Sequence, residues 1–464
     1  MYSRKLHITT FGCQMNVYDS GRLSELMRLK GWTMAKNQSD ADFIFVNTCS
    51  IREKAARRVI GHLHKLKAMK YKNPNLIFGV GGCVAEQEGQ NLLTEVPWLN
   101  LVVGPGRLDE IPDVVDALTA SMPAVILSGR RPDESPSTPL GPVIPMASPK
   151  ASPDFSVDNA AASETGPISA FLTIMQGCDN YCAYCVVPYL RGPETSRPHD
   201  EVVAEAAGLI ARGAREITLL GQNVNSYSRT SSRRGLDFVK LLQEVDSLAG
   251  LSRLRFTTSH PKDFPPELVE LFGCLTTLCE HLHLPLQAGS DKILSAMGRR
   301  YNRQRYLNLV DELRRACPDL ALSTDIIVGF PGETESDFQC TMEMLDLVRF
   351  DSIYSFKYSD RPMTAAMRLP DKIDEDIKAR RLNDVQQFQK TVTVAKHRSM
   401  VGRRLEVLVE GFGRRNGQLT GRSRDLKPVN FDGPPELIGR LVTVEVTEGF
   451  PASLLGVLQD DPPR

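Results

Sequence analysis

At 464 residues the chain is longer than one ordinary core, and at about 150 residues per domain it is expected to hold roughly three. Lys plus Arg and Asp plus Glu both total 56, so the formal net charge is zero; no global field selects a polyanionic partner, and any nucleic-acid surface must be local. The first residues carry no secretory h-region and no apolar run approaches the length of a membrane span, so a cytoplasmic protein without a membrane contact is expected.

Residues 1–125 alternate short apolar runs (Leu6 to Phe11, Phe43 to Asn47, Ile77 to Gly81, Leu101 to Gly104) with amphipathic stretches such as Ser20 to Lys30. That rhythm predicts an N-terminal parallel α/β domain. From 126 to 167 the composition shifts to Pro, Ser, Ala and Asp, which reads as an exposed, partly flexible linker. Residues 168–397 resume the alternation in about six longer units, with strands near Phe171, Glu216, Arg253, His281, Leu322 and Ser352, which suits a partial (β/α)6 TIM-like barrel with its chemistry at the strand C-terminal ends. After a helical stretch from Glu375 to His397, residues 398–464 show short alternating strands (Arg404 to Glu410, Gln418 to Gly421, Arg440 to Val446), the pattern of a small all-β barrel.

Ten cysteines in a chain without an export signal point to metal binding more than to disulfides. Gly177-Cys178-Asp179-Asn180-Tyr181-Cys182-Ala183-Tyr184-Cys185 sets three thiols at CxxxCxxC spacing just after the first strand of the expected barrel. Three thiolates hold three irons of a cubane and leave the fourth open to a ligand. A zinc site would need a further CxxC or a His pair, and none follows. Cys13, Cys49 and Cys83 each follow one of the N-terminal strands, so a parallel sheet places them along one edge, where they could hold a second cluster. The rival reading is chance placement of buried thiols. Cys274, Cys279, Cys317 and Cys340 lie at no ligand-like spacing and read as core thiols.

The CxxxCxxC motif resembles the radical S-adenosylmethionine (SAM) superfamily. Two three-cysteine sets followed by a small β-barrel resemble its methylthiotransferase family, whose C-terminal barrel is an RNA-binding TRAM domain. Further similarity lies in Thr10-Phe11-Gly12-Cys13-Gln14-Met15-Asn16, Asn47-Thr48-Cys49-Ser50-Ile51-Arg52-Glu53-Lys54, Val186-Val187-Pro188-Tyr189-Leu190-Arg191-Gly192, Thr258-Ser259-His260-Pro261 and Leu284-Pro285-Leu286-Gln287. The family usually shows Gly and Pro where this chain has Met363 and Ala365, and the linker is longer than expected.

The resemblance implies a transferase that methylthiolates carbon 2 of N6-isopentenyladenosine at position 37 of tRNA, beside the anticodon. The alternatives within the family are threonylcarbamoyl-adenosine or a ribosomal-protein aspartate as acceptor. It implies two 4Fe-4S clusters, on Cys178, Cys182 and Cys185 and on Cys13, Cys49 and Cys83, together with SAM, a one-electron reductant and the tRNA anticodon stem-loop as partners of a monomer. Tyr184 by its backbone, Gln222, Asn223, Gln287, Asp325 and Gly329 would line the SAM pocket. His260, Glu280, His281, His283 and Glu333 read as structural hydrogen-bonding groups. Arg414, Arg415, Arg422 and Arg424 form a local basic excess that could meet RNA phosphates, the rival being an ordinary solvated face.

Overall fold

The computed structural model describes residues 4–49, 55–118, 125–128, 167–228 and 236–460. They form two compact units, one of residues up to 128 with 176–178 and 187–194, the other of the remainder. Nearly all of the expected linker, and the Ser50 to Lys54 part of the second cysteine motif, lie outside the described residues.

In the first unit, β1 (Lys5–Phe11), β2 (Thr33–Met34), β3 (Phe43–Thr48), β4 (Ile77–Gly82), β5 (Leu101–Val103) and β6 (Val125–Leu127) make a fully parallel sheet in the order β2-β1-β3-β4-β5-β6. Strand β3 is buried along its whole length because helices cover both faces. Its side chains divide by the two-residue period. Ile44 and Val46 pack with Val59, Leu63 and Leu66 of α2 (Ala55–Lys72) and Leu92 of α3 (Cys83–Glu95); Phe43 and Phe45 pack with Leu23 and Met27 of α1 (Gln14–Leu29) and Val115 of α4 (Ile111–Ala117). The chain runs outward from β1 to β2 and then crosses back to β3, so the topology switches direction between β1 and β3, where open α/β sheets bind ligands.

The short elements β8 (Met175–Gln176), α5 (Val187–Leu190) and β9 (Thr195–Ser196) follow β7 (Ser169–Thr173). The second unit then carries α6 (His199–Ala211), β10 (Glu216–Leu220), α7 (Leu236–Asp246), β11 (Arg253–Thr257), α8 (Pro266–Cys274), β12 (His281–His283), α9 (Asp291–Ala296), α10 (Arg303–Ala316), β13 (Ala321–Val328), α11 (Glu335–Val348) and β14 (Ser352–Lys357). Six parallel strands stand in two ladders, β7-β10-β11 and β12-β13-β14, joined by one bridge at Leu254 and Leu278. This is the expected partial barrel. After α12 (Glu375–Arg398) comes a closed barrel of β15 (Arg404–Phe412), β16 (Gln418–Ser423), β17 (Pro428–Asp432), β18 (Leu441–Gly449) and β19 (Leu454–Leu458), around Val407, Val409, Leu419, Phe431 and Val444. Strands β17 and β19 escaped the sequence pattern: one opens on a proline, the other holds a central glycine, and besides their chain neighbours β16 and β18 they pair with each other. Among the described residues no helix is long and apolar enough to cross a membrane.

Candidate active site

The first unit brings Cys13, Cys49 and Cys83 together at the C-terminal ends of β1, β3 and β4, and a hydrogen-bonded row runs Cys13–Cys49–Cys83. Cys13 is the N-cap of α1 and Cys83 opens α3, so two of the three thiols stand where the helix dipole favours an anion. The bond with Cys49 lowers the Cys13 thiol to about 6, while the same bond, with that from Cys83 and burial, pushes the Cys49 thiol far up.

Buried amides fix these strand ends. Asn16 Nδ2 donates to Asn47 Oδ1 (2.9 Å) and to the Thr48 carbonyl (3.1 Å), Asn47 Nδ2 returns a bond to the Asn16 carbonyl (2.9 Å), and the Cys13 thiol donates to Asn16 Oδ1 (3.3 Å). Gly82 has φ +91°, and a Cβ there would stand 2.1 Å from the Thr48 carbonyl, so only glycine lets β4 close on β3 and hand Cys83 to the row.

A cation lies in the same place. Arg191, 9% exposed, reaches Asp19 of α1 (Nη2 to Oδ2 3.5 Å) and donates to Cys83. Burial works against its charge, but Cys83, Asp19 and Cys13 outweigh it and hold the guanidinium above its ordinary value. Burial raises the Asp19 carboxyl to about 6, Arg191 opposing. Neither residue was singled out from sequence as a site residue. The signal available was the motif-like stretch Val186 to Gly192, in which Arg191 sits.

Of the second cysteine set, Cys178 donates its backbone N–H to the Gly192 carbonyl (3.3 Å) in the first unit. In the second unit Cys185 N–H bonds the Cys182 carbonyl (2.9 Å), Ala183 N–H bonds the Met297 carbonyl (2.9 Å), and Arg299 Nη1 lies 3.6 Å from Cys182 Sγ and 3.4 Å from the Tyr184 hydroxyl. The Tyr184 phenol is pushed up by burial against the pull of Arg299.

At the C-terminal ends of the parallel strands the second unit collects buried polar atoms with no hydrogen-bond partner: Thr173 Oγ1 at the end of β7, Asn223 Oδ1 after β10, Ser259 Oγ and His260 Nε2 after β11, Gln287 Oε1 after β12, and Asn180 Oδ1 on the cysteine loop. Burying such a group without a partner costs about 1–3 kcal/mol, so six of them at one end of a barrel mark a cradle for a polar ligand. Asn223 and Gln287 of the expected SAM pocket are members. Gln222 adjoins them, and Asp325 lies beside His283 (3.5 Å) with its carbonyl on the Gln287 N–H (2.8 Å). Gly329 lies under a cover: its N–H bonds Glu333 Oε2 (2.5 Å), and at φ +72° a Cβ would meet the Lys378 stem at 2.3 Å. Of the others, Thr173 was not singled out from sequence, Asn180 and Ser259 appeared only as members of quoted motifs, and His260 was read as a structural hydrogen-bonding group. Burial, then Arg299, Lys262 and Arg300, hold the His260 imidazole far below its ordinary value, so it is neutral at physiological pH.

The four barrel arginines divide. Arg414 and Arg415 are exposed on the β15–β16 turn. Arg422 is half-paired with Glu410 (3.4 Å), and Arg424 is clasped by Glu280 (2.8 and 3.0 Å) and the Leu278 carbonyl (2.8 Å), which spends its charge within the protein.

Among the described residues no three His, Cys, Asp or Glu side chains surround a point as ligands of one metal ion would. A cubane asks for something else, one thiolate on each of three irons.

The chain matches the model of the uncharacterized protein family UPF0004 over residues 5–104, of the radical SAM superfamily over 172–345 and of the TRAM domain over 398–458. It is 46% identical over 460 residues to a tRNA-2-methylthio-N(6)-dimethylallyladenosine synthase of Geobacter metallireducens, covering 98% of each chain, and 42% identical over 454 residues to one of Syntrophus aciditrophicus, covering 98% of this chain and 94% of that one. Among solved structures it resembles in fold the radical SAM methyltransferase TsrM of Kitasatospora setae (TM-score 0.54, 15% identity, 79% of this chain and 74% of that one).

Proposed function

Because this chain belongs to the tRNA-2-methylthio-N(6)-dimethylallyladenosine synthase family, we propose that it attaches a methylthio group to carbon 2 of N6-isopentenyladenosine in tRNA, using two 4Fe-4S clusters and SAM. The observation that carries this reading is the row Cys13–Cys49–Cys83 at the sheet's switch point with Arg191 beside it, a second cluster cradle that a one-cluster radical enzyme has no use for.

Carbon 2 of an adenine carries a C–H bond that is neither acidic nor electrophilic, so side-chain acid-base chemistry cannot open it. Bound SAM and the clusters supply the radical and sulfur chemistry that polar groups lack. The protein's part is placement. Cys178, Cys182 and Cys185 would hold the cluster that works with SAM, and Cys13, Cys49 and Cys83 would hold the one that supplies sulfur chemistry. The orphaned acceptors Asn180 Oδ1, Asn223 Oδ1 and Gln287 Oε1 suit the ammonium, ribose hydroxyls and adenine amine of SAM, while the Thr173 and Ser259 hydroxyls either donate or accept. Neutral His260 adds no charge to that cradle. Arg191 balances the negative charge that three thiolates bring into a buried site.

RNA is the partner class we assign to the C-terminal barrel, with Arg414 and Arg415 as its exposed cations. The cycle also calls for an external one-electron reductant.

The test is anaerobic iron and sulfide quantitation with Mössbauer spectroscopy on wild type and on C13A/C49A/C83A, beside mass spectrometry of nucleosides from the tRNA of a deletion strain. Two 4Fe-4S clusters should fall to one, and 2-methylthio-N6-isopentenyladenosine should vanish on deletion. One cluster in both proteins would overturn the reading.

A further inference from the structure

The segment that fastens the second cysteine loop continues into a polar groove. Met297 and Arg299 hold the loop through Ala183 and Cys182, and the next residues, Arg300, Tyr301, Asn302, Gln304, Arg305 and Asn308, line a surface groove of about 630 Å³. None of the six carries negative charge. Arg303 between them is engaged by Glu343 (3.0 Å), but Arg300 and Arg305 are exposed and have no carboxylate at ion-pair distance among the described residues. Arg300 stands at φ +58°, in the left-handed region, so the backbone holds strain to keep it there.

The groove adjoins the ligand cradle. The Tyr301 ring meets His260 edge-on at 5.6 Å, Arg305 Nη2 reaches the Lys262 carbonyl (3.4 Å), and the Arg300 charge is felt at His260, whose Nε2 is one of the cradle's orphaned atoms. Cradle and groove thus share the wall from Arg299 to Tyr301.

We propose that this groove binds a phosphodiester of the RNA strand flanking the modified base, with Arg300 and Arg305 as the phosphate contacts. The assignment rests on the RNA reading above and deepens it. Arginine forks match phosphate oxygens, and a base held at the cradle brings its own backbone to the rim. A protein partner would need aliphatic or aromatic anchors, and the one aromatic lining the groove, Tyr301, is 8% exposed with its hydroxyl bonded to the Leu286 carbonyl (2.8 Å). Arg424, committed to Glu280, leaves the C-terminal barrel with fewer phosphate contacts than its composition promises.

The experiment measures binding of a synthetic anticodon stem-loop carrying isopentenyladenosine to the cluster-loaded full chain, across salt concentrations, for wild type, R300A/R305A and R300K/R305K. Loss of two single-strand phosphate contacts should weaken binding and make the log-log salt slope shallower by about 1.4, at about 0.7 per contact, and the lysine pair should restore most of the slope. Equal affinity and slope in wild type and R300A/R305A would overturn the proposal, as would weaker binding at an unchanged slope, which is the signature of a contact other than phosphate. Should R300A/R305A not fold, R300Q/R305Q, which removes both charges and keeps polar side chains, takes its place under the same outcomes: a shallower slope supports the groove, and an unchanged slope overturns it. A wild type that does not bind this RNA fails the RNA reading itself, a result visible without any variant.

Discussion

At the scale of single residues, two backbone positions show where this chain is under tension. Met363 takes φ +69°, at the place where the family resemblance led us to expect glycine. A β-carbon in that region costs about 1–2 kcal/mol, part of which glycine returns through the freer unfolded chain. We expect M363G to raise stability in urea unfolding by up to ~1 kcal/mol; a loss of stability would mean that the Met363 side chain packs for more than its backbone costs. Asp337 illustrates the opposite case. It closes a capping box with Thr334 on α11 and accepts from Ser290 (2.6 Å) and Lys292 (3.1 Å). Burial opposes its charge, but the bonds from Ser290, Thr334 and Lys292 prevail and hold the carboxyl below its ordinary 3.8. A depressed carboxyl stabilises above the unfolded value and loses that contribution as pH falls through the folded one. D337N should therefore cost ~1–2 kcal/mol at pH 7, and the gap from wild type should narrow as the pH is taken below 3.8; a constant gap would assign the cost to shape and not to charge.

Among the elements, β11 does more than complete a barrel ladder. Its Arg253 is fully buried and ties into the C-terminal barrel through Glu406 (2.9 Å) and the Arg422 carbonyl (2.6 Å); Arg255, two residues on along the same face, bonds Glu216 (2.9 Å) and the carbonyls of Ser423 (3.0 Å) and Arg424 (2.7 Å). Removing one member of a buried pair strands the other in low dielectric at about 3–5 kcal/mol. R253A should show a loss of that order in guanidinium unfolding monitored by circular dichroism, and a loss under 1 kcal/mol would show that water reaches Glu406 readily. In the sequence these arginines stand at alternate positions of one strand. Nothing local announces that the face they share meets a barrel about 150 residues later.

For the whole molecule, the same seam makes the second unit one body instead of a barrel with an appended RNA module. Glu280, Asp319 and Asp351, each just before a strand of the parallel ladders, pair with Arg424, Arg403 and Lys427 of the C-terminal barrel (2.8, 3.1 and 3.3 Å). The seam therefore lies at the N-terminal ends of those strands, and the orphaned polar cradle lies at their C-terminal ends, so the barrel that carries Arg414 and Arg415 docks on the side opposite the cradle. A chain cut after Arg398 leaves Arg253 and Arg255 without their partners. We expect its melting temperature, by scanning fluorimetry, to drop by several degrees relative to the full chain; an unchanged value would mean the C-terminal barrel is merely tethered.

The sequence by itself determined the chemistry and the broad layout. Spacing of thiols along a chain is a local property, so CxxxCxxC and the three cysteines after strands were legible, as were the parallel periodicity of the first 125 residues and the six-unit rhythm after residue 168. Central strands such as β3 are readable because burial on both faces demands an unbroken apolar run. Tertiary structure alone decided what depends on groups distant in the chain: that Arg191 and Asp19, 172 residues apart, form the ionic flank of the first cysteine row, that Arg424 pairs with Glu280, and that β17 and β19 close the small barrel. A buried charge, an orphaned acceptor or a closing strand is defined by its partner or by the lack of one, and which partner comes within reach is settled only when the whole chain has folded.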